Sequence, residues 1–254
     1  MTAEMSETAA PEREPAAAAA PDPGGEHHRN VQGGVVRAGV FGVSDGLLTN
    51  ISLILGVAGA NPGAGVVRLA GLAGLVAGAF SMAAGEYVSM SAQSELIRRE
   101  VAVEREALRT SPDEETRELV AVYVRRGVPH DTAKAVAEAL MSDPDVALEV
   151  HSREELGVDP AHTGSPWGAA ASSLVSFAVG ALVPLLPWFF MSGWSAVVAS
   201  IVLGALAALS VGGAVGRFSD RSILRGALRQ LLIAAVAAAI TFGIGRLVGI
   251  STGV

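Results

Sequence analysis

The sequence predicts an all-α membrane protein with five transmembrane helices and a cytosolic helical metal-binding domain between the second and third spans. Of the 254 residues, 50% are hydrophobic and 17% are charged, whereas a soluble domain carries about a quarter charged residues. Five stretches are long and apolar enough to cross a bilayer, which takes about 20 helical residues. The chain between the second and third stretches is strongly charged. We expect no β-sheet.

The first 34 residues are predicted to form a disordered tail. Residues 1–30 are rich in Ala, Pro and Glu and show no apolar periodicity, so they cannot bury enough surface to offset the entropy lost on ordering. Acidic residues and prolines occur where a secretory signal needs a basic start and an apolar stretch. The tail is therefore not expected to be a signal peptide.

The five apolar stretches make up two membrane segments, 35–91 and 166–254. The spans cover roughly 36–60, 66–90, 167–190, 194–215 and 229–250. Basic residues precede the first span, surround the connection between the fourth and fifth, and recur in segment 92–165. The positive-inside rule therefore places the N-terminus and segment 92–165 in the cytoplasm and the C-terminus outside. Since no organelle address is evident, we expect an integral protein of the cytoplasmic membrane.

Segment 92–165 is predicted to form the cytosolic domain, since it holds 16 of the 25 acidic residues. No Gly or Pro interrupts residues 86–111, so the second span should continue into the cytoplasm as one long helix. The tetrapeptide 111–114, Ser-Pro-Asp-Glu, has the capping-box pattern and should start the next helix. Further helices are expected at about 131–142 and 145–156.

Two carboxylates are expected inside the membrane spans, Asp45 and Glu86, because the other acids lie in the tail, in segment 92–165 or, for Asp220, in a basic loop. A carboxylate within a span costs about 2.5–3.5 kcal/mol, so it is usually functional or paired. Asp45 favours transport. Glu86 could serve transport, extend to the headgroups, or pair with Arg37.

Met82 lies in the second span, next to the first one, and could stand beside Asp45. A carboxylate with a thioether suits Fe(II) or Mn(II) better than Ca(II) or Mg(II). Methionine in an apolar helix is more often simple packing. The glycines of residues 71–78 and 204–216 are likewise expected to allow close helix packing.

Three pairs of candidate ligands in segment 92–165 each share one helix face. They are Glu100 with Glu104, Glu115 with Glu118, and His151 with Glu155. If these faces point inward, carboxylates and one imidazole converge as in metal sites built between helices. The alternative is a solvated charged face.

Several function classes are excluded by composition and motifs. The chain has no Cys, which excludes disulfides, iron–sulfur clusters and cysteine nucleophiles. Its net charge of −7 argues against a nucleic-acid partner. No phosphate loop, nucleophile elbow or dinucleotide fingerprint is present. We therefore expect neither an enzyme nor a prosthetic group.

Three strings resemble the vacuolar iron transporter family over about residues 35–250. They are GVSDG at 42–46, GAFSMAAGEYVS at 78–89 and EELGV at 154–158. The resemblance implies a five-span dimer that exchanges Fe(II), often also Mn(II), for protons, with a cytosolic metal-binding domain. It further implies that Asp45 and Met82 are transport-path ligands near the dimer axis.

The resemblance also implies that Glu115, Glu118 and Glu155 belong to a cytosolic metal site, whose first helix supplies Glu104 and either Glu100 or Glu106. Two departures matter. Plant members carry glutamates near the cytoplasmic entrance where this chain has Gly34 and Gly74, so Glu86 could substitute there. They also carry methionines where this chain has His151 and Ser152.

The predicted function is a proton-coupled antiporter that exports Fe(II) and/or Mn(II) from the cytoplasm across a membrane. Its partners would be transition-metal ions, protons, the lipid bilayer and a second copy of the chain. A homodimer is expected because five short-looped helices enclose little space for an ion path. The alternative is a non-transporting, membrane-anchored metal sensor or scaffold.

Overall fold

The computed structural model describes residues 34–160 and 164–252. Within these residues every regular element is helical, as predicted. The elements are α1 (Gly34–Gly59), α2 (Ala64–Thr110), α3 (Pro112–Arg125), α4 (His130–Met141), α5 (Pro144–Glu154), α6 (Pro166–Leu185), a 3-10 turn (Leu186–Phe189), α7 (Gly193–Phe218) and α8 (Ile223–Thr252). The predicted tail, apart from Gly34, lies outside the described residues.

Five of these helices are long and apolar enough to cross a membrane, which confirms the predicted number of spans. They are α1, α2, α6 with its 3-10 turn, α7 and α8. The fifth begins at Ile223 rather than near residue 229. The backbone N–H of Arg225 donates to the Ser222 hydroxyl at 3.5 Å. Arg225 and Arg229, which were expected around the connection between the fourth and fifth spans, lie instead in the first turns of α8. Hydropathy did not reveal this start of the helix because the turn is charged.

The second span continues as one helix of 47 residues, as predicted. At 1.5 Å per residue α2 is about 70 Å long, more than twice the thickness of a hydrocarbon core of about 30 Å. The charged part of α2 that follows residue 92 therefore lies beyond the span.

The start of α3 differs from the predicted capping box. Pro112 occupies the first turn, but the Ser111 side chain makes no capping hydrogen bond. The backbone carbonyl of Ser111 instead accepts hydrogen bonds from the N–H groups of Glu114 and Glu115. A side-chain cap does form at α5, where the Asp143 carboxylate accepts from the Asp145 N–H at 2.9 Å.

Helix α1 lies at the centre of the membrane bundle and contacts α2, α6, α7 and α8. Its backbone approaches α6 closely at Gly42 and Gly46, where a Cβ atom would collide with the backbone of Ser173 and Phe177. Gly180 of α6 meets the backbone of Val43 in the same way. Glycine is required at this crossing because only hydrogen fits between the helices.

Helices α3, α4 and α5 pack together beside the charged end of α2. Their apolar core is small and centres on Leu119, Val120, Ala133 and Ala137. Helix α5 contacts α2 directly. This arrangement brings three helix faces, from α2, α3 and α5, toward one point.

Candidate metal centre and transport path

The candidate metal centre is built from one or two side chains on each of three elements. The extension of α2 supplies Glu104, the first half of α3 supplies Glu115 and Glu118, and the C-terminal end of α5 supplies His151 and Glu155. Helix α3 can direct Glu115 inward because its amphipathic face also buries Leu119 one turn later. Two of the three pairs that were predicted to share a helix face, Glu115 with Glu118 and His151 with Glu155, contribute both members. Of the third pair, only Glu104 contributes.

Three carboxylates surround the imidazole of His151. Its Nδ1 lies 3.1 Å from Glu104 Oε1, 3.4 Å from Glu155 Oε1 and 3.6 Å from Glu115 Oε2. The His151 side chain is completely buried, and those of Glu104 and Glu115 are about nine-tenths buried. Carboxylates are rarely buried together in this way without a cation.

Four buried polar atoms in and beside this group lack hydrogen-bond partners. Both ring nitrogens of His151, Glu104 Oε1 and the Ser152 hydroxyl are buried without one. The carboxylates lie within ion-pair distance of the imidazole, but their orientation does not form a hydrogen bond. An unsatisfied buried polar group costs about 1–3 kcal/mol. A divalent cation bound to Glu104 Oε1 and to one ring nitrogen of His151 would remove that cost for those two atoms.

The pKa values of two carboxylates in this group, Glu104 and Glu115, are raised mainly by burial. Burial raises the pKa of Glu104, and the neighbouring carboxylate of Glu155 raises it further. Burial also raises the pKa of Glu115, with added repulsion from Glu104 and Glu118. Both carboxylates therefore gain a proton more readily than an exposed glutamate, and a bound cation would displace that proton.

A second triad overlaps the first. Glu115, Glu118 and Glu155 bring one oxygen each within 4.8 Å of one another, as do the ligand atoms of Glu104, Glu115 and His151. Glu115 belongs to both triads. Five side chains could thus ligate one cation, or two that share Glu115.

Glu100 and Glu106 lie outside both triads. The Glu106 carboxylate is 60% exposed and accepts from Arg109, with Nη2 to Oε1 at 2.6 Å. Glu100 precedes Glu104 by one helical turn and is only partly buried. Of the three glutamates considered for α2, the structure brings Glu104 alone to the imidazole.

Asp45 lies on α1 within the membrane bundle and is half-buried. Its Oδ1 accepts from the Thr49 hydroxyl at 3.4 Å. Among the described residues, no basic side chain lies within 4.0 Å of this carboxylate. Met82 on α2 packs against the cluster formed by Ala79, Phe177 and Ala181.

Glu86 pairs with Arg37, at 3.3 Å between Oε2 and Nη2. This contact is one of the three alternatives considered for Glu86. It joins the start of α1 to α2.

Sequence reasoning missed Asn50, which is fully buried among the spans. Its Nδ2 donates to the Ala181 carbonyl at 2.6 Å, while its Oδ1 has no hydrogen-bond partner. A search of the spans for amides as well as charges would have found it. Thr49, whose hydroxyl donates to Asp45, would have been found by the same search extended to hydroxyl groups.

The VIT family model matches residues 36–246 of the chain. This protein belongs to the VIT family. The match covers all five spans and the helices between the second and third. It confirms the resemblance carried by the three sequence strings.

Individual relatives of the VIT-family chain match over most of their length. A protein of Eucalyptus grandis named vacuolar iron transporter 1 is 35% identical, over 85% of this chain and 87% of its own. Vacuolar iron transporter 1 of Arabidopsis thaliana is 31% identical, over 88% and 91%. A vacuolar iron transporter of Acanthamoeba castellanii is 37% identical, over 88% and 83%. These names describe transporters, in agreement with the expectation that this VIT protein is not an enzyme.

Proposed function

We propose that this metal ion transporter exports Fe(II) and/or Mn(II) from the cytoplasm across a membrane in exchange for protons. Family membership and relatives named as iron transporters support iron as a transported ion. The side chains that would capture it belong to segment 92–165. Those that would pass it through the membrane are Asp45 and Met82, with Glu86 near the entrance.

The observation that carries this proposal is the convergence of three carboxylates on a fully buried imidazole whose two nitrogens lack hydrogen-bond partners. Such a set of oxygen and nitrogen ligands suits Fe(II), Mn(II), Co(II) and Zn(II) better than Cu(I), which prefers sulfur. Protons compete with the metal, because each ligand must be deprotonated to bind it.

Proton coupling would arise at Asp45. The carboxylate oxygens can bind either a proton or a metal ion, so the binding of one displaces the other. Because a proton and a metal ion exchange on the same oxygen atoms of Asp45, the flux of metal is linked to the flux of protons. The Thr49 hydroxyl, which donates to Asp45, would orient the carboxylate.

A homodimer is the assembly we propose, with α1 near its axis. Gly42, Gly46 and Asn50 line the face of α1 that is buried within the chain, whereas Thr49 is exposed and Asp45 is half-buried. An intramembrane carboxylate that faces lipid is costly. A second α1 across the axis would cover this face and complete the ion path.

Because the chain contains no Cys, a single introduced cysteine tests the dimer directly. Thr49→Cys should give a disulfide-linked dimer on mild oxidation in membranes. Val236→Cys, on an exposed part of α8, is the control and should remain monomeric on a denaturing gel. Equal cross-linking of the two variants would contradict an axis at α1.

The protein is proposed to reside in the cytoplasmic membrane with its N-terminus and segment 92–165 in the cytoplasm and its C-terminus outside. The distribution of arginines supports this orientation. The binding of metal by segment 92–165 would then draw on the cytoplasmic pool.

Metal flux into reconstituted vesicles with an imposed pH gradient tests the function. The assay measures uptake of Fe(II), Mn(II), Co(II), Zn(II) and Mg(II), together with the internal pH. We expect uptake of Fe(II) and/or Mn(II) that follows the proton gradient and collapses with it. Glu115→Gln should reduce uptake, whereas Glu114→Gln, an exposed neighbour, should not. Metal binding without flux would indicate the sensor or scaffold instead.

A further inference from the structure

Three arginines surround one cavity at the end of the membrane bundle where α7 passes into α8. Arg221, Arg225 and Arg229 line this cavity, which has a volume of about 450 Å³ and also contains Ser219 and Ser222. We call it the arginine cavity. The three arginines are exposed, and their positive charges attract an anion to this space.

No carboxylate of the described chain neutralises these arginines. The arginines that lie within 4.0 Å of a carboxylate in residues 34–160 and 164–252 are Arg37, Arg109, Arg126 and Arg153. Asp220 is adjacent in sequence, but its carboxylate is not within that distance of any arginine. Within the described residues, the arginine cavity therefore carries positive charge that no carboxylate compensates. Guanidinium groups match phosphate oxygens in shape and in hydrogen bonding.

An apolar groove adjoins the arginine cavity and shares Val215, Ser219 and Arg229 with it. The groove has a volume of about 360 Å³ and runs between the start of α1 and the α7–α8 connection. Val36, Phe41 and Phe218 line it, and each side chain is more than half exposed. A basic cavity that opens onto an apolar groove matches the two parts of a phospholipid.

We propose that the arginine cavity and the apolar groove together bind one anionic phospholipid. Its phosphate would lie among Arg221, Arg225 and Arg229, and one acyl chain would fill the groove beside Val36 and Phe41. Soluble phosphate would occupy only the cavity and leave the apolar groove exposed. The combination of charge and apolar surface therefore favours a lipid over a soluble anion.

The bound lipid would strengthen the contact between α8 and α1. At the base of the groove, Gln230 Nε2 donates to the Ser44 hydroxyl at 2.7 Å, and Ser44 immediately precedes Asp45. A lipid that spans this contact restrains both helices. We therefore expect it to raise the thermal stability of the whole chain.

Lipid binding to the delipidated full-length protein, counted by native mass spectrometry, tests the proposal. The probes are phosphatidylglycerol, phosphatidylcholine with the same acyl chains, and inorganic phosphate. Wild type should retain one phosphatidylglycerol per chain in preference to phosphatidylcholine, with a matching rise in melting temperature. The triple variant R221Q/R225Q/R229Q should bind phosphatidylglycerol on the order of 100-fold more weakly. This factor corresponds to a roughly equal contribution of each of the three arginines to the affinity for anionic lipid.

Two further variants separate the site from general electrostatics. R98Q/R99Q/R125Q removes the same charge from exposed positions outside the cavity and should bind phosphatidylglycerol as wild type does. Val40→Trp places a large side chain in the groove and should weaken lipid binding while leaving inorganic phosphate binding unchanged.

The proposal is overturned by any of three results. In the first, the wild-type protein retains phosphatidylglycerol and phosphatidylcholine equally, a result that can be seen without any variant. The control triple variant could lose as much affinity as the cavity variant, which would show charge without a site. Inorganic phosphate could bind as tightly as phosphatidylglycerol, which would identify a soluble anion as the ligand.

Discussion

The membrane bundle and segment 92–165 hold their helices together in opposite ways. In the bundle, glycines bring helix backbones into direct contact, as Gly46 and Gly180 do between α1 and α6. In segment 92–165, a small apolar core is joined by a buried imidazole with two buried carboxylates and one partly exposed carboxylate around it. The bundle tolerates no added atoms at its crossings, whereas the segment carries buried charge that only a proton or a cation can neutralise.

This difference implies different sensitivities. Close packing of small residues depends weakly on pH and on metal ions, since it contains few titratable groups. A buried carboxylate group depends strongly on both. The predictions below test whether the two regions separate in this way.

The largest expected effect is on transport, from Asp45→Ala in the bundle. Metal flux into vesicles should fall to the level of vesicles without protein. The fold should persist, because removing an intramembrane carboxylate relieves a cost of about 2.5–3.5 kcal/mol. Asp220→Asn, in an exposed loop with positive φ that Asn accepts, should transport normally. Near-normal flux through Asp45→Ala would remove this residue from the ion path.

Gly46→Leu should disrupt packing of the bundle without affecting metal binding in segment 92–165. The new side chain meets the Phe177 backbone, so we expect the free energy of unfolding to fall by about 1–3 kcal/mol or more. Gly243→Leu is the matched control, because a Cβ there meets no atom within 4 Å. Thermal unfolding in detergent should distinguish them, and equal melting temperatures would show that the α1–α6 crossing can relax.

Glu115→Gln should have opposite effects in the absence and presence of metal. Without metal it removes a charge repelled by Glu104 and Glu118, so α3 and α5 should become more resistant to opening. With Mn(II) or Fe(II) present it should lower the binding affinity by at least about tenfold. Hydrogen exchange of peptides from residues 112–155 in the full-length protein gives both readouts. Glu114→Gln should change neither.

The pH dependence should have opposite signs for stability and for metal binding. Because the pKa values of Glu104 and Glu115 are raised in the folded protein, the folded state holds more protons than the unfolded state between the ordinary and the raised pKa. Without metal, the stability of segment 92–165 should therefore fall as pH rises through this window.

Metal binding should instead weaken as pH falls through the same window, since each ligand must lose its proton. Titrations of the full-length protein with Mn(II) across this range measure the affinity, and hydrogen exchange measures the stability. Two curves of the same sign would show that these carboxylates are not the ligands.

The smallest effect is expected from His151→Met, which replaces the nitrogen ligand of the candidate metal centre with a sulfur atom. A thioether replaces an imidazole, so binding of Co(II) and Zn(II) should weaken relative to Mn(II) by a few-fold, on the order of 1 kcal/mol. Competition titrations measure the ratio. An unchanged ratio would mean that His151 only fills space beside the carboxylates.

Much of the fold could be predicted because hydropathy and helix breakers act locally. The five spans follow from their apolar composition and low charge. The continuation of α2 to Thr110 follows from the absence of Gly and Pro in residues 86–111. The candidate ligands on α3 and α5 follow from spacing, since residues three or four apart share a helix face.

Contacts between distant segments required the tertiary structure. Glu86 had three possible environments in the sequence, and only the packing of α1 on α2 brings it to Arg37. Gly42 and Gly46 were noticed as a family motif, yet they also form the crossing with α6. The capping bond expected at Ser111 is absent because the local backbone angles, φ −136° and ψ 51°, direct the chain from α2 into α3.

By itself, the sequence determined the membrane spans, the charged segment between them and the residue types available for metal binding, because these depend on composition and on spacing within single helices. The tertiary structure decided that Glu104, rather than Glu100 or Glu106, meets His151. It also decided that Arg229, near the start of α8, lines an apolar groove beside the start of α1. Both juxtapositions join helices far apart in the chain, and their geometry depends on how side chains pack between helices, which no local pattern encodes.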